Sequence, residues 1–116
     1  MGLCDSGDDA RLSETYALND TFRRSFVGGK IVTTAGVAAL GAERLAHLLR
    51  LVRSFDLFDA DNDPHGEHDF GMIEDQGERF LWKIDYYDAE LRFGSEDPSD
   101  PAQTTRVLTL MFASEW

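Results

Sequence analysis

The run ERFLWKIDYY, residues 78–87, sets Phe80, Trp82, Ile84 and Tyr86 in strict alternation with Arg79, Leu81, Lys83 and Asp85. Side chains on a strand point alternately to its two faces, so a period of two sustained over this length marks a long, half-buried strand. One face of it carries Phe, Trp, Ile and Tyr and has to lie against other apolar groups. The chain must therefore build a sheet with at least one covered face.

Two stretches have the period to supply the cover. Residues 8–26 predict a first helix, with Ser6 or Asp8 as cap and acids in the first turn, where the helix dipole favours them. Its stripe is Leu12, Tyr16, Asn19, Phe22 and Phe26, and Gly28-Gly29 ends it. A second helix is clearer: Leu45, Leu48, Leu49, Val52 and Phe55 share one face, and Glu43, His47 and Arg50 fall opposite. Between them KIVTT, residues 30–34, is β-branched and reads as a strand, with a turn at Gly36.

The remaining strands are HDFGMIE (68–74), joined to the 78–87 strand by a Gln76-Gly77 turn, then ELRF (90–93) after a tight turn near Asp88. A polar loop, GSEDPSDPAQ, precedes TRVLTLMFASEW (105–116). Val107, Leu110, Met111 and Ser114 would also make a helical stripe there, but the β-branched and aromatic content favours a strand. The order α-β-α-β-β-β-β predicts an α+β domain over residues 8–116, two helices packed on a mainly antiparallel sheet, behind a flexible tail at 1–7.

At 116 residues the chain is long enough for one core without disulfides, and its single Cys4 fits a reducing compartment. No apolar run approaches the ~20 residues that span a bilayer, so a soluble protein is expected. Met1-Gly2-Leu3-Cys4 matches a myristoylation pattern in form, but Asp5, Asp8 and Asp9 follow where a membrane anchor carries bases. No membrane partner is expected.

Charge is the feature with functional content. The net charge is −11, yet residues 1–53 carry six acids and seven bases, while residues 54–116 carry sixteen acids and four bases. Between Arg53 and Arg79 stand nine Asp or Glu and no Lys or Arg. Phosphates would be repelled by this half, which argues against direct nucleic-acid binding.

DNDPHGEHDFG, residues 61–71, is the densest part. Asp59, Asp61 and Asp63 hold the first, third and fifth places of an EF-hand loop, but Pro64 stands where Gly is needed and Phe70 where a bidentate Glu is needed. His65, His68, Asp61 and Asp63 are the candidate ligands for another metal, although Pro64 and Gly66 disfavour the helix that an HExxH site uses. His68 with Glu67 or Asp69 is the candidate acid/base set. There is no G-x-S-x-G elbow, Walker loop or dinucleotide fingerprint.

The runs ALNDTFRR, GGKIVTTAGVAAL, DNDPHGEHDFG, WKIDYYD and DPAQTTRVLTLMFASEW resemble, over residues 15–116, an uncharacterised domain-of-unknown-function family of small bacterial proteins. The resemblance implies a bacterial cytoplasmic protein with relatives carried on plasmids and integrated elements. It brings no activity, cofactor or catalytic residue, and the family pattern often has Tyr where this chain has His65.

The expectation is thus a non-enzymatic acidic protein that engages a basic nucleic-acid-binding partner by mimicking nucleic acid. An extended 59–63 would align Asp59, Asp61 and Asp63 at about 6.6–6.8 Å, near the phosphate repeat of a strand. Asp56, Glu67, Asp69, Glu74, Asp75 and Glu78 would widen that surface, with Glu96, Asp97 and Asp100 beyond. The mobile-element context suggests a host-defence nuclease or CRISPR effector as the target. Reversing Asp59, Asp61 and Asp63 to Lys is then expected to abolish binding without unfolding. The alternative is a metal-dependent or acid/base enzyme centred on 61–71. No cofactor is expected, and a homodimer is compatible with the sequence.

Overall fold

A computed structural model describes residues 3–58, 63 and 66–116, with side chains described from residue 14 onward. Helix α1 spans Leu3–Ser25, strand β1 Gly29–Thr33, a short helix α2 Ala35–Ala38 and helix α3 Ala42–Ser54. Strands β2 (Phe70–Asp75), β3 (Glu78–Tyr87) and β4 (Thr105–Phe112) follow, and a 3-10 turn at Ala113–Glu115 leads to the last residue. The sheet order is β1-β4-β3-β2. Strand β3 is antiparallel to both neighbours, while β1 runs parallel to β4. The α+β class with a mainly antiparallel sheet holds.

The alternation in β3 sets the layers. Trp82 faces Gly71 on one side and Leu110 on the other, Phe80 faces Ile73 and Phe112, and Ile84 faces Leu108. These residues share a sheet face with Ile31 of β1, which pairs Leu108. Phe22 of α1, Val37 of α2 and Leu48 and Val52 of α3 complete one apolar core on that face. Phe80, Trp82, Leu48, Val52, Leu108 and Leu110 are all fully buried.

Three elements differ from the sequence reading. Gly36, expected in a turn, lies inside α2, because the Thr34 hydroxyl accepts from the Val37 amide at 3.4 Å and caps a single helical turn. ELRF is not a strand. Asp88 Oδ1 takes the amides of Glu90 and Arg92, and Leu91 adopts φ +61, so the chain coils tightly and meets β3 only through a Tyr87–Gly94 bridge. Helix α1 begins at Leu3 rather than Asp8.

The Gln76-Gly77 turn is as expected. Both residues have positive φ, +52 and +78, as in the two-residue turns whose twist matches that of a hairpin. The 105–116 segment resolves as a strand to Phe112. Its Arg106, Leu108 and Leu110 face the helices, an alternation a helix could not satisfy. Glu115 then turns back, taking the Phe112 amide and the Thr34 hydroxyl at 2.8 Å each.

Candidate functional site

The acidic segment enters β2 through Asp63, and Asp63 points inward. It is 9% exposed, and its Oδ1 accepts the backbone amides of Glu67 and His68 at 3.1 Å. Those bonds hold a turn in which His68 itself takes a left-handed φ of +56. A side chain committed to its own loop cannot stand in a surface row with Asp59 and Asp61. The row is therefore corrected at Asp63, and Asp59, Asp61 and His65 lie outside the described residues.

The turn delivers His68 to α1. Its Nδ1 lies 3.0 and 3.1 Å from the two carboxylate oxygens of Asp20, and its Nε2 lies 3.6 Å from Asp63 Oδ2. Carboxylates only accept, so Nδ1 carries a hydrogen toward Asp20. The ring is stacked on Phe58 at 4.0 Å between centroids, with Tyr16 at 5.0 Å. Nδ1 and one face of the imidazole are thus engaged within the protein, while Nε2, at 3.6 Å from Asp63, is beyond hydrogen-bond distance of it.

Asp20 has a second partner, Arg23, at 3.1 Å. Arg23 is wholly buried and reaches across to α3, donating to the carbonyls of Val52 at 2.9 Å and Arg53 at 3.2 Å. These are carbonyls of the last helical turn, where Val52 otherwise accepts only the Phe55 amide at 3.3 Å, so the guanidinium caps α3. Its centre lies 5.3 Å from the Trp82 ring and 5.4 Å from that of Phe58. Burial is the main influence on its pKa and lowers it, with Asp20 acting in the opposite sense.

Glu67 and Tyr86 form the other half of the anchor. The Tyr86 hydroxyl donates to Glu67 Oε2 at 2.8 Å and accepts from Asn19 Nδ2 at 2.7 Å. Asn19 also donates to the Glu67 carbonyl at 2.9 Å, and its Oδ1 takes Arg106 Nε at 2.6 Å. Arg106 donates in addition to the Pro98 carbonyl. Asn19 is completely buried and Arg106 nearly so. Burial lowers the Arg106 pKa. One asparagine thereby ties α1, the 63–69 segment, β3 and β4 together.

Burial also pushes the Tyr86 phenol far above its usual range, opposed by the bond from Asn19 and reinforced by the Asp69 and Glu67 carboxylates. The folded state then keeps a proton that the unfolded chain releases near pH ~10. Its stabilising effect is complete below that pH and is lost as pH rises above it. The phenolate absorbance removed by Tyr86→Phe is expected to appear in the same alkaline step as unfolding seen by circular dichroism. Phenolate formation at Tyr86 in the still-folded protein would contradict this.

The other acids divide into two groups. Asp75 and Glu78 are held by Arg44 of α3, at 3.2 and 2.7 Å, and Asp75 also lies 3.2 Å from His47. The Glu78 bond is the main cause of a raised Arg44 pKa. Asp97 accepts from both the amide and the hydroxyl of Ser99, and Asp100 accepts from the Ala102 amide and the Gln103 side chain. Asp56 and Glu74, in contrast, are exposed, and both border a groove between α3 and β2.

The expected catalytic trio is consequently not gathered around an open centre: His68 is bound to Asp20, Glu67 to Tyr86, and Asp69 acts on Tyr86 through its charge. Among the described residues no group of three His, Cys, Asp or Glu side chains is arranged to hold a metal ion. The partners that sequence reasoning missed, Asp20, Arg23 and Arg106, belong to the half of the chain or the register from which no site was expected. One of them, and Asn19 beside Asp20, left a trace. Asn19 interrupts an apolar helix stripe, and Arg106 occupies an inward position of β4, two residues before Leu108 and four before Leu110.

Among the described residues no helix is long and apolar enough to cross a membrane. No curated protein and no solved structure matches the chain. A family model does, over residues 33–115, a stretch that begins in β1 and includes α2, α3, the anchored segment and the other three strands. The chain belongs to that family, DUF3768, described as proteins of unknown function.

Proposed function

We propose that the protein is a non-enzymatic acidic binding protein that engages a basic, nucleic-acid-binding partner. The observation that carries this reading is the placement of charge: a net −11, with the excess of acids confined to residues 54–116, and Asp56 and Glu74 exposed beside the edge of the sheet. A one-signed surface of this kind accelerates encounter with a cationic partner and makes association sensitive to salt. Carboxylates then occupy the Arg and Lys side chains that otherwise hold phosphate.

The plasmid and integrated-element setting implied by the family resemblance directs the search to host-defence nucleases and CRISPR effectors.

The test is capture from a bacterial lysate at low ionic strength, with elution by salt or by duplex DNA and identification of what is released. The expected result is a basic nucleic-acid-binding protein that both eluents displace. A partner retained through saturating DNA would overturn mimicry. Charge reversal belongs at Asp56 and Glu74, since reversing Asp63 would break its own loop.

A further inference from the structure

Strand β2 is an edge of the sheet, and its pairing leaves half of its backbone groups facing outward. The Ile84 amide donates to the Asp69 carbonyl at 2.7 Å, and the two-residue Gln76-Gly77 turn closes the Asp75/Glu78 pair. In an antiparallel ladder, hydrogen-bonded pairs alternate with non-bonded ones. Asp69, Gly71, Ile73 and Asp75 therefore direct their amides and carbonyls to β3, while those of Phe70, Met72 and Glu74 point away from the sheet. Among the described residues no backbone bond reaches the outward groups of Met72 or Glu74.

A groove of about 350 Å³ runs beside this edge, between the end of α3 and β2. Leu51, Phe55 and Ile73 line it on the helix side, Met72 borders it along the strand edge, and the exposed acids Asp56 and Glu74 stand at its rim. Met72 is 48% exposed. Unsatisfied edge amides beside an apolar trough are the two elements of strand addition, in which backbone bonds give affinity and alternate side chains give selectivity.

We infer that the β2 edge docks an extended segment of the partner in which apolar and basic residues alternate. This inference rests on the acidic-binding reading and names the segment that reading lacks. An added strand repeats the pleat of β2. Alternate side chains of the segment enter the groove toward Leu51, Phe55 and Ile73, and the intervening ones lie on the opposite face beside Met72 and Glu74. The first set must be apolar. Glu74 selects Lys or Arg in the second, and Asp56 receives a basic residue at the end of the groove. Charge disfavours a second copy of this chain as the occupant, since each carries net −11.

The experiment titrates the intact protein with a labelled peptide of alternating Val and Arg, against a shuffled peptide of the same composition. Hydrogen exchange is followed at the Met72 and Glu74 amides. Tighter binding of the alternating peptide, with slowed exchange at both amides, is expected. Met72→Pro removes one outward N–H and no ladder bond, and edge positions accept proline. It should weaken binding about tenfold. Asp56→Lys/Glu74→Lys, both at exposed positions, should weaken it by a similar factor at low salt and serves if the proline variant fails to fold.

Equal binding of the two peptides, or unaltered exchange at Met72 and Glu74, would overturn the inference. So would dimerisation of the free protein through this edge, abolished by Met72→Pro. Salt-sensitive capture of a basic protein that survives both variants would overturn the edge while leaving the acidic-binding reading in place. Peptide binding without lysate capture would do the reverse.

Discussion

Arg23→Ala is expected to lower the unfolding free energy by about 3–5 kcal/mol, the range seen when one member of a buried ionic network is removed. Arg23 is fully buried and serves five groups: the Asp20 carboxylate, the carbonyls of Val52 and Arg53, and the faces of the Phe58 and Trp82 rings. Alanine takes the guanidinium's bonds from the carboxylate, which keeps only His68, and from both carbonyls, of which Val52 keeps only the Phe55 amide, and it opens a void between α1 and α3. Its Nε has no hydrogen-bond partner, so the residue is not an optimum of satisfaction. It persists because its planar fork spans acceptors on two helices. Lysine keeps the charge but offers one compact donor group, and Arg23→Lys should recover less than half of the loss. Urea denaturation checks both variants, the midpoint falling with an unchanged slope. A loss below ~1 kcal/mol for Arg23→Ala would show that water or a neighbour replaces the guanidinium readily.

How much of this was legible in the sequence depends on the range of the interaction. The alternation in β3, the apolar stripe of α3 and the Gln76-Gly77 turn are local patterns, and each appears where its period places it. ELRF failed because its outcome is set by Asp88, whose carboxylate captures two amides downstream and closes a loop before a strand can pair. The parallel placement of β1 beside β4 joins segments more than seventy residues apart, and no local period encodes it.

The acidic segment shows the same division. Residues 61–71 are the chemically dense part of the sequence, but Asp63, Glu67 and His68 among them serve the loop and its attachment to α1 and β3. Asn19 and Asp20 lie 48 residues upstream of their bonds to Glu67 and His68. A carboxylate bonded to two amides of its own loop and one facing water have the same letter in a sequence. Asp63 and Asp56 are that pair here, and only the first is part of the framework.

A close approach in the core yields the second large effect, at Gly71. A Cβ built there would lie 2.4 Å from Trp82 Nε1, 2.6 Å from Cε2 and 2.8 Å from Cζ2. Gly71 and Trp82 are directly paired across β2 and β3, and the indole lies over the space that a side chain would take. The ring has little freedom to retreat, because Phe55 and Phe58 meet it edge-on at 5.5 and 6.1 Å and Arg23 covers it. The same packing leaves the indole N–H buried without an acceptor. Gly71→Ala should therefore destabilise by about 2–3 kcal/mol, an overpacking cost. Trp82→Leu should cost about 3 kcal/mol by itself through the cavity it leaves. If the clash is the cause, alanine at 71 becomes nearly harmless once the ring is gone. The double variant should then be more stable than the sum of the singles by ~1.5 kcal/mol or more. Strict additivity would instead assign the glycine's importance to its backbone, and the near-UV circular dichroism of Gly71→Ala would then retain the native signal of Trp82.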